Sequence, residues 1–119
     1  MTEIQNHKKY DLEERTLTFA KKVIGFIGKL EKTIANIEIS KQLVRSSGSV
    51  GANYIEANEA LSKKDFIMRV KICRKEAKES CYWLKLVNCN IASKKEQADL
   101  IQESSELMKI FGAILVKSE

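Results

Sequence analysis

The sequence of 119 residues contains no proline, five glycines and one histidine. Proline and glycine are the residues least compatible with a helix interior, so their scarcity argues against collagen-like and low-complexity chains and suits a helical protein. Charged residues interrupt every apolar run before it reaches the roughly 20 residues needed to cross a bilayer, so we expect no membrane contact. The polar first ten residues lack a signal-peptide core, and the sequence therefore predicts a cytoplasmic protein.

The three cysteines also limit the class of protein. Cys73, Cys81 and Cys89 are eight residues apart and form no CxxC pair. On one helix, a step of eight residues separates neighbours by about 12 Å, which is too far for a disulfide. We therefore expect reduced, structural cysteines.

The single histidine, His7, restricts the possible chemistry. A di-iron site in a helical bundle needs two Glu-x-x-His motifs, and the usual nucleophilic pairs need a histidine beside a serine or cysteine. Zinc sites with histidine ligands are excluded for the same reason. Because His7 precedes the first predicted helix, we expect no metal site, no cofactor and no catalytic residue. The sequence predicts a protein that is not an enzyme.

Helix-start signals recur along the chain. Asp11, Ser62 and Ser93 are each followed three residues later by an acidic residue, which is typical of a capped first turn, and Asn36 gives a weaker fourth start. These signals predict helices over 12–32, 37–60, 63–91 and 94–116. Short connections make consecutive helices antiparallel. The predicted fold is therefore all-α, an up-down-up-down four-helix bundle forming a single domain over residues 1–119.

Apolar residues at steps of three, four or seven predict the core face of each helix. The predicted row on helix 1 is Leu17, Ala20, Ile24, Ile27 and Leu30. The row on helix 3 is Phe66, Val70, Cys73, Ala77, Ser80, Leu84, Val87 and Ile91. Helix 4 contributes Ile101, Met108, Phe111 and Leu115.

Helix 3 carries further apolar side chains beside this row, where the surface helix of a monomer is usually polar. We therefore expect self-association, with an interface that includes Ile72, Tyr82, Trp83 and Leu86. A core that extends further around helix 3 is the alternative.

The segment from Arg45 to Asn53 is rich in small residues and includes Gly48 and Gly51. It lacks the Gly-Lys-Ser/Thr ending of a P-loop, and its GxxG spacing lacks the sheet of a KH module. We expect these small side chains to let a neighbouring helix approach closely.

Two polar tracks complete the pattern, one on helix 2 and one on helix 3. If the tracks face each other, they form a buried, hydrogen-bonded network, since buried charge is tolerated only when paired. If they face solvent, no network forms, and periodicity alone does not decide. The residues are Arg45, Ser49, Asn53 and Glu56 on helix 2 and Glu76 and Glu79 on helix 3.

The formal net charge of +5 is concentrated in residues 62–92, which hold eight basic and three acidic side chains. Four lysines stand one heptad apart on the side of helix 3 away from its core row, and two more basic residues flank them. Such a stripe could follow a phosphate backbone or could be a solvated face. The candidate nucleic-acid-binding residues are Lys64, Lys71, Arg74, Lys75, Lys78 and Lys85.

Three stretches of this sequence resemble one known family. They are Tyr10–Arg15, then Gln42–Asn53 with Glu56, and then Glu79 followed by Tyr82-Trp83-Leu84. Together they closely resemble the proteins encoded by intervening sequences in bacterial 23S rRNA genes, over nearly the whole chain. That family resembles in turn the accessory protein of diversity-generating retroelements, a barrel-shaped pentamer that has a basic surface and works with a reverse transcriptase and nucleic acid.

This resemblance implies an antiparallel bundle, a homopentamer and a role in binding RNA or DNA, with no assigned reaction. It also favours a buried position for Arg45, Asn53, Glu56 and Glu79, which match the family pattern. Two function classes remain open. The chain is either a homo-oligomeric module that binds nucleic acid or a structural scaffold whose partner is another protein.

Overall fold

The computed structural model describes the backbone of residues 2–119 and the side chains of residues 11–119. Its elements are α1 (Thr2–Ile27), α2 (Ile34–Asn58), α3 (Lys63–Leu86), a short 3-10 turn (Ile91–Ser93) and α4 (Lys94–Lys117). Consecutive helices pack against each other and α1 also packs against α4, with no strand over residues 2–119. The predicted all-α four-helix bundle is confirmed. The side chains of His7 and Tyr10 lie outside the described ones.

The helix starts depend on which side chain caps each first turn. Ser62 caps α3 as predicted, because its hydroxyl accepts a hydrogen bond from the Asp65 backbone N–H at 3.0 Å. The predicted start at Asn36 is wrong, since Thr33 caps α2 instead and accepts from the Asn36 N–H at 3.1 Å. The predicted start at Asp11 is also wrong, because α1 begins at Thr2. Residues 2–11 contain no glycine or proline to prevent this extension.

Two helices end about five residues before their predicted ends. The helix α1 stops at Ile27 rather than 32, and α3 stops at Leu86 rather than 91, where Val87 becomes extended. Asn36 explains part of this difference. Its side-chain amide donates to the carbonyls of Glu31 and Asn88, both at 2.9 Å, and its oxygen accepts from the Asn88 N–H at 3.1 Å. One buried side chain thereby fixes both the α1–α2 and the α3–α4 connection.

The core row predicted for helix 1 is correct at Leu30, which is buried, and at Ile27, which packs at the margin of the core, but it is wrong at two other positions. Six side chains from α1 and the turn that follows it are buried in the core: Leu12, Thr16, Phe19, Val23, Phe26 and Leu30. Leu17 and Ile24, which were predicted to be buried, are exposed. Apolar residues cover a wide arc of α1, so two rows fit the helical period, and the one containing Phe19 and Phe26 buries the larger side chains.

The rows on α3 and α4 agree better with the structure. The row on α3 is buried or partly buried from Phe66 to Val87, but Ile91 is exposed because the helix has already ended. On α4, Phe111 is fully buried, and the other three predicted residues pack at the margin of the core.

The small residues of α2 bring helices close together, as predicted, at two points. Ser46 and Ser80 are fully buried and share a hydrogen bond of 2.8 Å between α2 and α3. Gly51 faces α1, where a Cβ would lie 2.9 Å from Thr16 Oγ1. Gly48 is different, since a Cβ there would meet no atom within 4 Å.

Candidate nucleic-acid interface

The exposed side of α3 carries the lysine stripe. Its apolar row faces the core, so the opposite side must face solvent, and Lys64, Lys71, Lys78 and Lys85 are all exposed there. A heptad advances the helix by about 10 Å, and three such steps span about 30 Å. The four ammonium groups thus follow one edge of the bundle.

Arg74 and Lys75 widen this stripe and are exposed too. Lys71, Arg74, Lys75 and Lys78 line a shallow groove of about 460 Å³ between α3 and α4, with Met108 at its floor and no acidic residue in its lining. Across the groove, the Cδ of Arg74 lies 4.0 Å from where a Cβ of Gly112 would be. A side chain at position 112 would thus begin in ordinary van der Waals contact with the aliphatic stem of Arg74.

The charges of this surface are largely unpaired within the described part of the chain. Lys75 Nζ lies 3.8 Å from Glu76 Oε2, while the other five basic residues make no ion pair with residues 11–119. By contrast, Lys29 and Lys95 elsewhere on the surface pair with Glu96 and Asp99 at 3.0 Å. The basic face, defined as the six residues of the stripe and its flanks, is therefore available to anions.

The two polar tracks meet between α2 and α3, but the network is smaller than predicted. Glu76 is buried, with a side chain 7% exposed, and its Oε1 lies 3.7 Å from Arg45 Nη1 without a hydrogen bond. Arg45 also reaches Glu79, with 3.4 Å between Nη2 and Oε1. Arg45 itself is 53% exposed, so this ion-pair cluster lies at the margin of the interface.

Asn53 and Glu56 do not join that cluster. Asn53 accepts a hydrogen bond from Arg69 Nη1 at 3.1 Å and donates to the Ser49 carbonyl at 2.9 Å. The expectation that Glu56 is buried is wrong, because it is exposed. In the antiparallel register that pairs Asn53 with Arg69, Glu56 lies opposite the first turn of α3, beyond both glutamates.

The residues predicted for an oligomer interface fall into two groups. Tyr82 and Leu86 are 59% and 50% exposed. Ile72 is half-buried, and Trp83 packs against the core with its ring edge-to-face to Tyr82 at 5.0 Å between centroids. Trp83 therefore belongs to a core that extends further around helix 3, which was the alternative to an interface. Tyr82 and Leu86 are exposed and accessible to a partner.

Comparison with known proteins adds the family. The model of the 23S rRNA-intervening sequence protein family matches residues 8–113. The chain belongs to this family. A crystal structure of a protein of unknown function from the S23 ribosomal protein family of Bacteroides thetaiotaomicron is similar, with 30% sequence identity and a TM-score of 0.75. The similarity covers 87% of this chain and 96% of that one. No curated protein matches.

Two observations concern metal binding and thiol reactivity in the described part of the chain. Over residues 11–119, no three His, Cys, Asp or Glu side chains lie close enough to hold a metal ion. Burial raises the pKa of Cys73 to about 12, so its thiol stays protonated and is a poor nucleophile. None of the helices, as far as they are described, is long and apolar enough to span a bilayer.

Sequence reasoning missed one ion-pair cluster, between α1 and α4. Arg15 donates from Nε and Nη2 to the two carboxylate oxygens of Glu103 and from Nη2 to Glu106, each at 2.8 Å. A hydrogen bond from Gln102 and the contacts with Arg15 lower the pKa of Glu106. The acidic step from 103 to 106 on one helix face was the available signal. It did not show which basic residue lies opposite.

Proposed function

We propose that this intervening-sequence protein is a non-enzymatic homo-oligomer that binds RNA or DNA through the basic face of α3. The observation that carries the proposal is the set of five exposed basic side chains without an ion-pair partner along residues 11–119, aligned over about 30 Å. Uncompensated lysines at regular spacing attract a polyanion, and each contacted phosphate releases condensed counterions.

The basic face would hold phosphates without reading sequence. Lysine ammonium groups contact phosphate oxygens as point charges, and such contacts position a nucleic acid without specifying bases. The groove beside Arg74 and Lys78 is shallow and contains no fixed array of amide donors that could read a base edge. We therefore expect binding with little sequence preference.

Self-association is the second part of the proposal. Tyr82 and Leu86 are exposed beside the basic face, and burying them in a contact between copies would be favourable. The resemblance to a pentameric accessory protein favours five copies. Repeating the basic face around an assembly strengthens binding to one long nucleic acid, since later contacts become intramolecular.

A scaffold that binds another protein is the second candidate. The exposed apolar side chains favour it, because protein interfaces are built around such groups. Salt distinguishes the two functions. Binding by phosphate neutralisation weakens steeply as salt rises, whereas apolar contacts do not.

The test is the double variant Lys71→Glu with Lys78→Glu, at the centre of the stripe. Fluorescence anisotropy with a structured RNA and a DNA duplex should show weaker binding, with a salt slope smaller by about two if each lysine contacts one phosphate. The matched control, Lys22→Glu with Lys117→Glu, makes the same charge change at exposed sites away from the stripe. Circular dichroism checks that both variants fold.

Two outcomes would contradict nucleic-acid binding. One is a parent protein that does not bind at low salt, and the other is a folded Lys71→Glu, Lys78→Glu variant that binds as tightly as the parent. Either result favours the scaffold. Light scattering of the parent at micromolar concentration tests self-association separately, since a mass of 13.5 kDa would show a monomer.

A further inference from the structure

A second surface, on the other side of the bundle, is apolar. Five aliphatic side chains on α1 and α2 are each between 42% and 58% exposed. We call them the α1–α2 face: Leu17, Ile24, Ile37, Val44 and Ile55. Contiguous apolar surface of this kind usually marks a contact with another protein.

Helix geometry places these residues on one surface. On α2, Ile37, Val44 and Ile55 are separated by seven and eleven residues, which keeps them in one direction. That direction is towards α1, because Ile37 and Val44 line a hollow together with Ile27.

Leu17 and Ile24 lie on the matching side of α1. The row that contains them begins at Glu13, which accepts a hydrogen bond from Asn58 of α2 at 2.7 Å. It ends at Ile27, in the hollow shared with α2. The two rows therefore flank the line along which α1 and α2 meet.

The hollow gives this face a receptor-like shape. It has a volume of about 460 Å³ and lies where the end of α1 meets the start of α2. Ile27, Leu30, Ile37 and Val44 provide its apolar lining. A single large side chain from another molecule would fit there.

Gly48 provides an independent observation. It is exposed in the middle of α2, on the same side as Val44 and Ile55, and a Cβ there would meet nothing within 4 Å. Packing within one chain therefore does not explain this glycine, although glycine disfavours a helix interior. Close approach of a helix from another molecule would use the missing side chain. Gly25 also meets nothing, but it lies in the last turn of α1, where a helix tolerates glycine better.

The charges favour a second copy as that molecule. The chain has a net charge of +5 that is concentrated on α3, so copies repel if their basic faces meet. The five side chains of the α1–α2 face are uncharged, and the hollow beside them is lined by Glu31, Lys32 and Lys41 as well as by apolar residues. This face lies on the other side of the bundle from the groove between α3 and α4. Docking on it keeps the basic faces of two copies from meeting each other.

The chain also carries the complementary element. Met68, Tyr82 and Leu86 are exposed on the outer side of α3, at steps of fourteen and four, and Ile72 is half-buried in the same row. A ring with more than two subunits needs two different surfaces on each subunit, since its interfaces are head-to-tail. The α1–α2 face and the outer row of α3 are two such surfaces.

We propose that the α1–α2 face of one copy receives the outer row of α3, Met68, Ile72, Tyr82 and Leu86, from the next copy. This interface rests on the self-association proposed above and specifies both of its surfaces. The small side chain of Gly48 lets the α3 of the neighbouring copy approach α2, and a large side chain such as Leu86 enters the hollow.

The experiment uses two variants, each with a carboxylate on one surface. Val44→Glu disrupts the α1–α2 face and Leu86→Glu disrupts the outer row of α3. Both residues are about half exposed in the single chain, so both variants should fold. Each alone should give the mass of one chain, 13.5 kDa, by light scattering at micromolar concentration. Val116→Glu, an exposed position on α4, is the matched control and should keep the mass of the parent.

Mixing the two variants tests the head-to-tail arrangement. A Val44→Glu chain keeps an intact α3 row and a Leu86→Glu chain keeps an intact α1–α2 face, so one productive interface remains. The mixture should give a 1:1 heterodimer of twice the single-chain mass and nothing larger. A Val44→Glu variant that assembles like the parent would overturn the proposal, and so would a mixture that stays monomeric.

These failures differ from a failure of the proposed function. A monomeric parent removes the self-association itself. A parent that assembles while Val44→Glu leaves its mass unchanged removes only the interface proposed here. Neither mass measurement depends on RNA binding, which the lysine variants test.

Discussion

The two long surfaces of this bundle differ in how they meet water. The basic face of α3 presents cationic side chains that are fully compatible with solvent, and its potential partners are anions. The α1–α2 face presents half-exposed aliphatic side chains, and burial is what stabilises them. Both surfaces lie on helices whose inner sides share one core. A four-helix bundle can thus give each side of its exterior a separate task without changing its interior.

The largest expected effect that separates the surfaces is the response to salt. If four lysines each contact a phosphate, a fourfold rise in salt should weaken RNA binding by roughly 100-fold. The mass of the assembly should stay constant over the same range, because apolar contacts are not screened. Anisotropy and light scattering on the same samples measure both quantities. An assembly that dissociates with the same salt dependence would show that charge, not apolar contact, holds the copies together.

The two glycines of α2 allow a comparison within one helix between a position that faces α1 and a position that is exposed. Gly51→Ala should destabilise the fold by about 1–3 kcal/mol, because its Cβ would lie 2.9 Å from Thr16 Oγ1. Gly48→Ala should stabilise the single chain by up to about 1 kcal/mol, since alanine favours a helix and meets no neighbour.

Urea unfolding in the Val44→Glu background measures both glycine variants without a contribution from assembly. Equal effects of the two substitutions would mean that α1 does not approach α2 more closely at Gly51 than at Gly48.

The smallest effect concerns the side of the bundle between these surfaces, where Arg15 joins α1 to α4. Arg15→Ala should cost about 1 kcal/mol, because the pair with Glu103 is bidentate but partly exposed. Folding lowers the pKa of Glu106 below the usual 4.5, through Gln102 first and Arg15 second. A carboxyl group whose pKa is lower in the folded than in the unfolded protein stabilises the fold at pH values above its unfolded pKa. This contribution is lost as the pH falls through the folded pKa.

The difference between the parent and Arg15→Ala should therefore be constant at neutral pH and shrink below about pH 4.5. Thermal unfolding followed by circular dichroism from pH 7 to pH 3 measures this trend. A difference that grows in acid would contradict the ion pair.

Periodicity predicted the parts of the fold that depend on one helix alone. The apolar residues of α3 recur in one direction around the helix, which predicts both its core row and the exposed lysines opposite it. Ser62 caps α3, as expected. The buried side of α1 was ambiguous because apolar residues cover a wide arc around this helix. Leu17 and Ile24 were therefore assigned to the core.

Features that depend on the register between helices could not be read from spacing. Arg15 and Glu103 are 88 residues apart, and which residues meet depends on how α1 and α4 are aligned along their axes. The same applies to Asn53, which pairs with Arg69 rather than with a glutamate. Asn36 looked like a helix cap and instead joins two connections, because Thr33 caps α2 three residues earlier.

The position of Asn36 bears on how the chain folds. Its three hydrogen bonds reach one carbonyl before α2 and two backbone groups after α3, the latter 52 residues away. An α1–α2 hairpin formed alone would leave two of these bonds unmade at a side chain that is 3% exposed in the bundle. Each helical hairpin thus lacks part of its hydrogen bonding until the other docks. This coupling favours a single cooperative transition in which both hairpins gain and lose their structure together.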